Sequence, residues 1–192
     1  MKIAIEQLGL GPCHHMVEVM RNPAQPAFWK AIAAGEKPAW TEVFYGYNSQ
    51  VDFPGAAFWR ETIVAFPDAK VVHTERPEDE WWNSFNVTIS KFMTRVPDMA
   101  LPPEIKNIFK SMEGWMEDLF GRPVERDAAI ASYRRNNQMV RDLIAPERLL
   151  VFNVAEGWGP LCRFLGVPQP GTPFPRSHPR DEFWAHFGGE PA

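Results

Sequence analysis

The sequence has no lysine-bearing phosphate-loop motif anywhere, which removes the simplest signal of a nucleotide hydrolase. It has only two cysteines, Cys13 and Cys162, so no disulfide framework exists and free thiols in a reducing compartment are expected. No apolar run approaches the roughly 20 residues that span a bilayer. The opening MKIAIEQLGLG carries one lysine and is interrupted by Glu6 and Gln7, so it does not read as a secretory signal. The Asn86-Val87-Thr88 triplet is then not an acceptor for glycosylation. Excess positive charge is missing too. A formal net charge of −4 argues against an extended nucleic-acid surface while leaving room for a local site for one small anion. Repeats and low-complexity segments are absent. A cytoplasmic protein without membrane or nucleic-acid partners is the expectation.

What is present is an ordinary globular composition with an unusual aromatic share. The 192 residues suffice for one α/β domain with a real core, and 45% apolar against 23% charged residues suits a folded protein. Eight tryptophans point to an aromatic-rich core or pocket.

Helices and short strands alternate. Residues 1–8 read as a helix stopped by Gly9. Short helices follow over 15–21 and 27–34, then a short buried strand over 50–53 and a helix over 56–66. Residues 69–74 form a strand around Val71 and Val72. Pro77 followed by Glu78, Asp79 and Glu80 marks a helix start, because proline fits the first turn and acids favour the positive end of the dipole. That helix runs to Phe92, with Trp81, Phe85, Ile89 and Phe92 on one stripe. Helices over 104–120 and 125–144, a strand over 149–152 and a helix over 158–165 complete the pattern. The tail from Val167, rich in proline and glycine, is expected to wrap the surface. Strands separated by helices imply a parallel sheet with right-handed crossovers, whose ligands bind beyond the carboxyl ends of the strands.

Two such ends carry chemistry. After the strand over 69–74 comes Arg76, with Ser84 eight residues on, about two helical turns away. A guanidinium grips a phosphate in bidentate fashion and a serine hydroxyl adds one hydrogen bond. The alternative is a solvated loop arginine and a helix-surface serine, and the surrounding acids must point away or pair elsewhere. After the strand over 50–53, Asp52 emerges between apolar residues, where a carboxylate can take a proton from a substrate hydroxyl. The alternative is a helix cap or a turn aspartate. Cys13-His14-His15 lacks partners at ligand spacing, so no metal is expected. Arg134 and Arg135 read as a solvated helix face.

The stretch QVDFPGAAFW…VVHTERPEDEWWNSF, residues 50–85, resembles the central block of sulfotransferases. In that family a strand with a catalytic base leads through proline into a helix containing Phe-Trp, and a second strand ends in an arginine with a serine eight residues later. The resemblance implies a three-layer P-loop NTPase-like α/β fold with a short parallel sheet flanked by helices, in one domain over 1–192. It implies sulfuryl transfer from 3′-phosphoadenosine-5′-phosphosulfate to a hydroxyl or amine of a small acceptor. Arg76 and Ser84 would bind the donor's 3′-phosphate. Asp52 falls where many members have a catalytic histidine, and Gln50 where they have a lysine. Ser132-Tyr133 and the strand after it resemble the family's adenine-side tyrosine helix, which makes Tyr133 an adenine contact. His14, His15, Trp40 and Phe44 are candidates for lining an apolar acceptor pocket.

The resemblance departs from the family at its start. Members begin with a strand and a Gly-, Ser- or Thr-rich loop that holds the 5′-phosphosulfate, and residues 1–8 look like the helix after that loop. An internal methionine at position 1, a missing first strand and little turnover by these 192 residues are the expectations. A sheet edge left unpaired would promote a homodimer. A nucleotide-binding kinase or hydrolase of the same superfamily, and a non-catalytic relative that binds a partner, are the competing readings.

Overall fold

The structure, a computed structural model, describes residues 1–175 and 179–190. The chain divides into two compact units, one of residues 1–74 and 144–175, the other of residues 75–143 and 176–192. The molecule is α/β, with short parallel strand pairs flanked by helices.

All strands of the described residues lie in the first unit. Helix α1 (Lys2–Gln7) ends where Gly9 takes a φ of 74°, a left-handed value that glycine adopts without a Cβ clash. Strand β1 (Cys13–His14) pairs in parallel with β2 (Ser49–Gln50). Between them come α2 (Met16–Arg21), α3 (Gln25–Ala33) and α4 (Trp40–Val43). A 3₁₀ turn over Gly55–Phe58 leads into α5 (Trp59–Ala65). Strand β3 (Val71–Thr74) pairs in parallel with β4 (Leu149–Phe152), Val71 opposite Leu149 and Thr74 opposite Phe152. The single parallel sheet expected from the strand–helix alternation is instead two separate two-stranded pairs.

Helix α1 serves both pairs. Its apolar face, with Ala4 fully buried, packs with Phe152, Leu161 and Cys162 in a core that also takes in Val72 and Leu150. Its polar side chains cap the free edge of β1: Lys2 Nζ donates to the Cys13 carbonyl at 2.6 Å, and the Cys13 N–H donates to Glu6 Oε1 at 3.2 Å. A strand edge left without partners costs free energy when dry, and these two side chains satisfy it. Arg148, just before β4, donates to the carbonyls of Phe66 and Ala69 and fixes the loop that enters β3.

The second unit is helical among its described residues. Helix α6 (Glu78–Phe85) runs through a π turn over Asn86–Ser90 into α7 (Lys91–Arg95). Helices α8 (Pro103–Phe120) and α9 (Arg126–Leu143) pack together, and α9 also packs on α6. Buried Ala129, Tyr133, Asn137 and Val140 recur on α9 at helical spacing. Returning to the first unit, α10 (Trp158–Leu165) ends at Gly166, left-handed at φ 75°. The tail then differs from the surface wrapping expected of it. Helix α11 (Pro179–Ala185) sets Trp184, 2% exposed, against Phe92 and Met99 in the second unit, because Phe183, Trp184 and Phe187 supply apolar area that outweighs the proline-rich composition. Its indole N–H reaches the Val87 carbonyl within the π turn at 3.2 Å.

Candidate functional site

Asp52 stands two residues past the end of β2. The expected strand over 50–53 stops at Gln50 because Asp52 takes a φ of 69°, the one non-glycine residue described with positive φ. Aspartate is among the few side chains that tolerate this region, at a cost of roughly 1–3 kcal/mol. The strain is held by hydrogen bonds. The Asp52 carbonyl accepts the Ala56 N–H at 2.9 Å, and the backbone of Phe53 and Met16 favours the charged form of its carboxylate. The imidazole of His15 meets the same carboxylate, Nε2 to Oδ2 3.2 Å. Desolvation by the surrounding protein raises the Asp52 pKa, and the His15 ring and the two backbone donors oppose that rise. The side chain nonetheless keeps 42% of its surface accessible, so a ligand can reach it.

His15 is also the N-cap of α2, its Nδ1 accepting the Val17 N–H at 3.1 Å. A nitrogen that accepts has no proton, so the ring proton lies on Nε2 and points at Asp52. The other three residues expected to line an acceptor pocket are packed into the unit's interior. His14 is 0% exposed, and Trp40 and Phe44 are buried and stacked with ring centroids 5.9 Å apart. His14 Nε2 faces Gln25 Oε1 at 2.9 Å, and that oxygen also accepts the Trp29 indole N–H at 2.9 Å. Gln25 Nε2 in turn donates to the Val43 carbonyl. Burial depresses the His14 pKa, which keeps the ring neutral, with Nδ1 a buried acceptor lacking a partner.

Gln50 is committed elsewhere. Its Nε2 donates to Thr62 Oγ1 at 3.2 Å, and Thr62 passes its own proton to the Trp59 carbonyl. Its Oε1 lies 2.0 Å from where a Cβ on Gly55 would sit, so a side chain at 55 would displace the Gln50 amide. Both thiols are buried, and burial pushes the pKa of Cys13 and Cys162 up, which leaves them protonated and unreactive.

The second unit holds Arg76, Ser84 and Tyr133. Arg76 follows β3 directly in the chain and is exposed. Its backbone is clasped by Tyr133: the Arg76 N–H donates to the phenol oxygen at 3.1 Å, and the phenol donates to the Arg76 carbonyl at 3.0 Å. The Tyr133 ring is stacked on Trp81, centroids 4.5 Å apart and planes 12° from parallel, and is buried. Ser84 is half-buried on α6, and its carbonyl accepts the Thr88 hydroxyl.

Three of the acids around Arg76 pair with arginines of α9. Glu75 pairs with Arg141 and accepts from Asn137 at 3.2 Å. Glu78 pairs with Arg134 through both oxygens, and that guanidinium holds its carboxyl below the usual range. Asp79 pairs with Arg126 at 2.5 Å. Arg76 is left without an ion pair among the described residues, and so is the Ser84 hydroxyl without a hydrogen bond. Arg134, expected on a solvated helix face, is exposed and pairs with Glu78. Arg126, Arg134 and Arg141 fall within one arc of α9, a spacing legible in the sequence; which acids they meet is not.

A family described as a sulfotransferase domain matches residues 1–183. The chain belongs to the sulfotransferase domain family. Ava biosynthesis cluster protein M of Aspergillus versicolor is 25% identical over 220 aligned residues, covering 96% of this chain and 81% of that protein. Measured against the family pattern, this sulfotransferase-family chain keeps the arginine and serine at their expected spacing. The carboxylate of Asp52 is paired with the imidazole of His15. No helix among the described residues is long and apolar enough to cross a membrane.

Proposed function

We propose that the protein transfers a sulfuryl group from 3′-phosphoadenosine-5′-phosphosulfate to a hydroxyl or amine of a small acceptor, within a P-loop-like framework. The observation that carries this reading is the release of Arg76 from its acidic surroundings. Three neighbouring carboxylates each have an arginine of their own, so the guanidinium is available to an anion. Arg76 and Ser84 bind the donor's 3′-phosphate. Tyr133 holds the Arg76 main chain in place while its stacked ring borders the same site.

Asp52 accepts the acceptor's proton as the oxygen or nitrogen attacks sulfur in line. A new bond to sulfur forms, the bond between sulfur and the bridging phosphate oxygen breaks, and 3′-phosphoadenosine-5′-phosphate leaves with that electron pair. Positioning and charge stabilisation supply most of the acceleration. The name of the Aspergillus relative associates that protein with a biosynthesis cluster, which fits a small biosynthetic product as the acceptor class here.

Calorimetry with 3′-phosphoadenosine-5′-phosphate tests the reading. Binding to the protein, weakened strongly when the 3′-phosphate is removed and in Arg76→Ala, is expected. Equal affinity for 5′-AMP and the bisphosphate overturns it. A second reading is a nucleotide-binding relative without transfer activity. It is favoured by Gln50, whose neutral amide is engaged with Thr62 where many members have a lysine. Bisphosphate binding without sulfate transfer to any acceptor is its outcome.

A further inference from the structure

Asp52 and His15 come from segments far apart in the chain, and each is fixed before it meets the other. Asp52 is held by its left-handed backbone and by the Ala56 N–H at its carbonyl. His15 is held by the Val17 N–H at its Nδ1. A carboxylate offers roughly four acceptor positions. The His15 Nε2 contact at 3.2 Å takes up one of them, which leaves others for a proton from outside. The imidazole has no such vacancy, since Nδ1 accepts from Val17 and Nε2 faces Asp52 Oδ2 at 3.2 Å.

We infer that His15 is a positioning residue for Asp52, its Nε2–H holding the carboxylate as the proton acceptor, and that the imidazole is not itself the base. The inference rests on the sulfotransferase reading only for what Asp52 does to a substrate; the pair stands on its own geometry. The charged groups around it are few. Helix α1 brings Glu6, whose carboxylate senses the His15 ring, together with Lys2 and the α-amino group of Met1. Lys2 is tied to Glu6 at 2.7 Å and to Glu18 of α2 at 3.1 Å, which balances its charge locally. Strand β1 contributes His14, held neutral by burial. His15 is therefore the titratable side chain in direct contact with the carboxylate.

Two roles of His15 are separable by substitution. Asparagine is among the best N-cap residues and accepts from the helix N–H groups through its side-chain oxygen, but it is too short to span to Asp52 as well. His15→Asn therefore keeps the cap of α2 and removes the contact with Asp52. The measurement is nuclear magnetic resonance on the whole chain, with no donor or acceptor present. Nitrogen shifts of the wild-type ring are expected to show the proton on Nε2 and a bare Nδ1. The carboxyl carbon of Asp52 is expected to titrate at higher pH in His15→Asn than in the wild type, with the melting temperature retained. A purely structural cap would leave that titration unmoved. A proton on Nδ1 in the wild type, or an Asp52 midpoint that stays put in the variant, overturns the inference. Because the wild-type ring alone is decisive for the tautomer, the inference remains falsifiable even where His15→Asn does not fold. A failed transfer assay with an intact pair would sink the proposed activity and leave the pair standing.

Discussion

The two units handle charge in opposite ways. In the first, the polar groups around the candidate site are held by a few close partners: His14, Gln25 and Trp29 form a buried hydrogen-bonded chain, and Asp52 sits on strained backbone against the His15 ring. In the second, charge is abundant and exposed, with carboxylates and guanidiniums cancelling pairwise across α6 and α9. Enclosure shifts proton affinities, because desolvation penalises the ionised form. Surface pairing hardly touches stability, because solvent screens it, yet it decides which cation remains free. Under the proposed function, one unit tunes a proton acceptor and the other clears a space for an anion.

The contrast makes quantitative demands. Asp52→Asn should strike the first unit's chemistry alone. Asparagine tolerates positive φ and still accepts backbone hydrogen bonds, so the fold survives while sulfate transfer falls by about 10²- to 10⁴-fold, the range for loss of a general base. Its melting temperature at neutral pH should match or exceed the wild type's. A carboxyl whose pKa is raised by folding stabilises below its unfolded value and loses that contribution as pH rises through the folded one, so the ionised group is a liability that the amide removes.

Arg76→Ala should act on the second unit alone, weakening bisphosphate binding by about 1.5–3 kcal/mol, roughly ten- to a hundredfold by calorimetry. Lysine should recover only part, since it lacks the bidentate fork. Acid should then separate the units. The unfolded His14 takes up a proton near 6.5 while the folded ring stays neutral to lower pH, so stability is whole above that value and lost as pH falls. The slope from this one group is at most about 1.4 kcal/mol per pH unit, measured by denaturant titration between pH 7 and 5. His14→Gln should flatten it.

Tyr133→Phe keeps the stacked ring and deletes the hydroxyl, leaving the Arg76 N–H and carbonyl to find water. A loss of about 1–2 kcal/mol of stability, with weaker nucleotide binding, is expected from thermal melts and calorimetry. Glu78→Gln should do least. Both partners of its ion pair are solvent-facing, so the melting temperature should not move, while bisphosphate affinity rises slightly as Arg134 is freed.

Legibility followed locality. Strand β4 and helix α10 occupy the residues expected of them, because an unbroken Leu-Leu-Val-Phe run and a terminal Gly166 are self-sufficient signals. Strand β2 came out shorter because nothing in its apolar neighbours announces a left-handed Asp52. Helix α11 was hidden by prolines and glycines that describe its flanks rather than its core-facing Phe183 and Trp184. Of the eight candidate site residues, Asp52 and Arg76 lie two residues past strand ends and Ser84 lies within helix α6. His14, Trp40 and Phe44 are interior, since an aromatic residue looks the same in a sequence whether it lines a pocket or fills a core. Tyr133 is engaged with Arg76, a contact 57 residues apart that periodicity does not encode.

Proline φ, glycine's left-handed freedom and the 3.6-residue repeat act between near neighbours, so the amino-acid order alone settled where most helices and strands lie, and the spacing of Arg76 and Ser84 with them. Folding in three dimensions settled which charges cancel. Glu75, Glu78 and Asp79 meet arginines 66, 56 and 47 residues away, and His15 meets Asp52 across three helices and a strand. Coulombic and hydrogen-bond energies depend on distance through space, and no local rule along a chain can fix that distance.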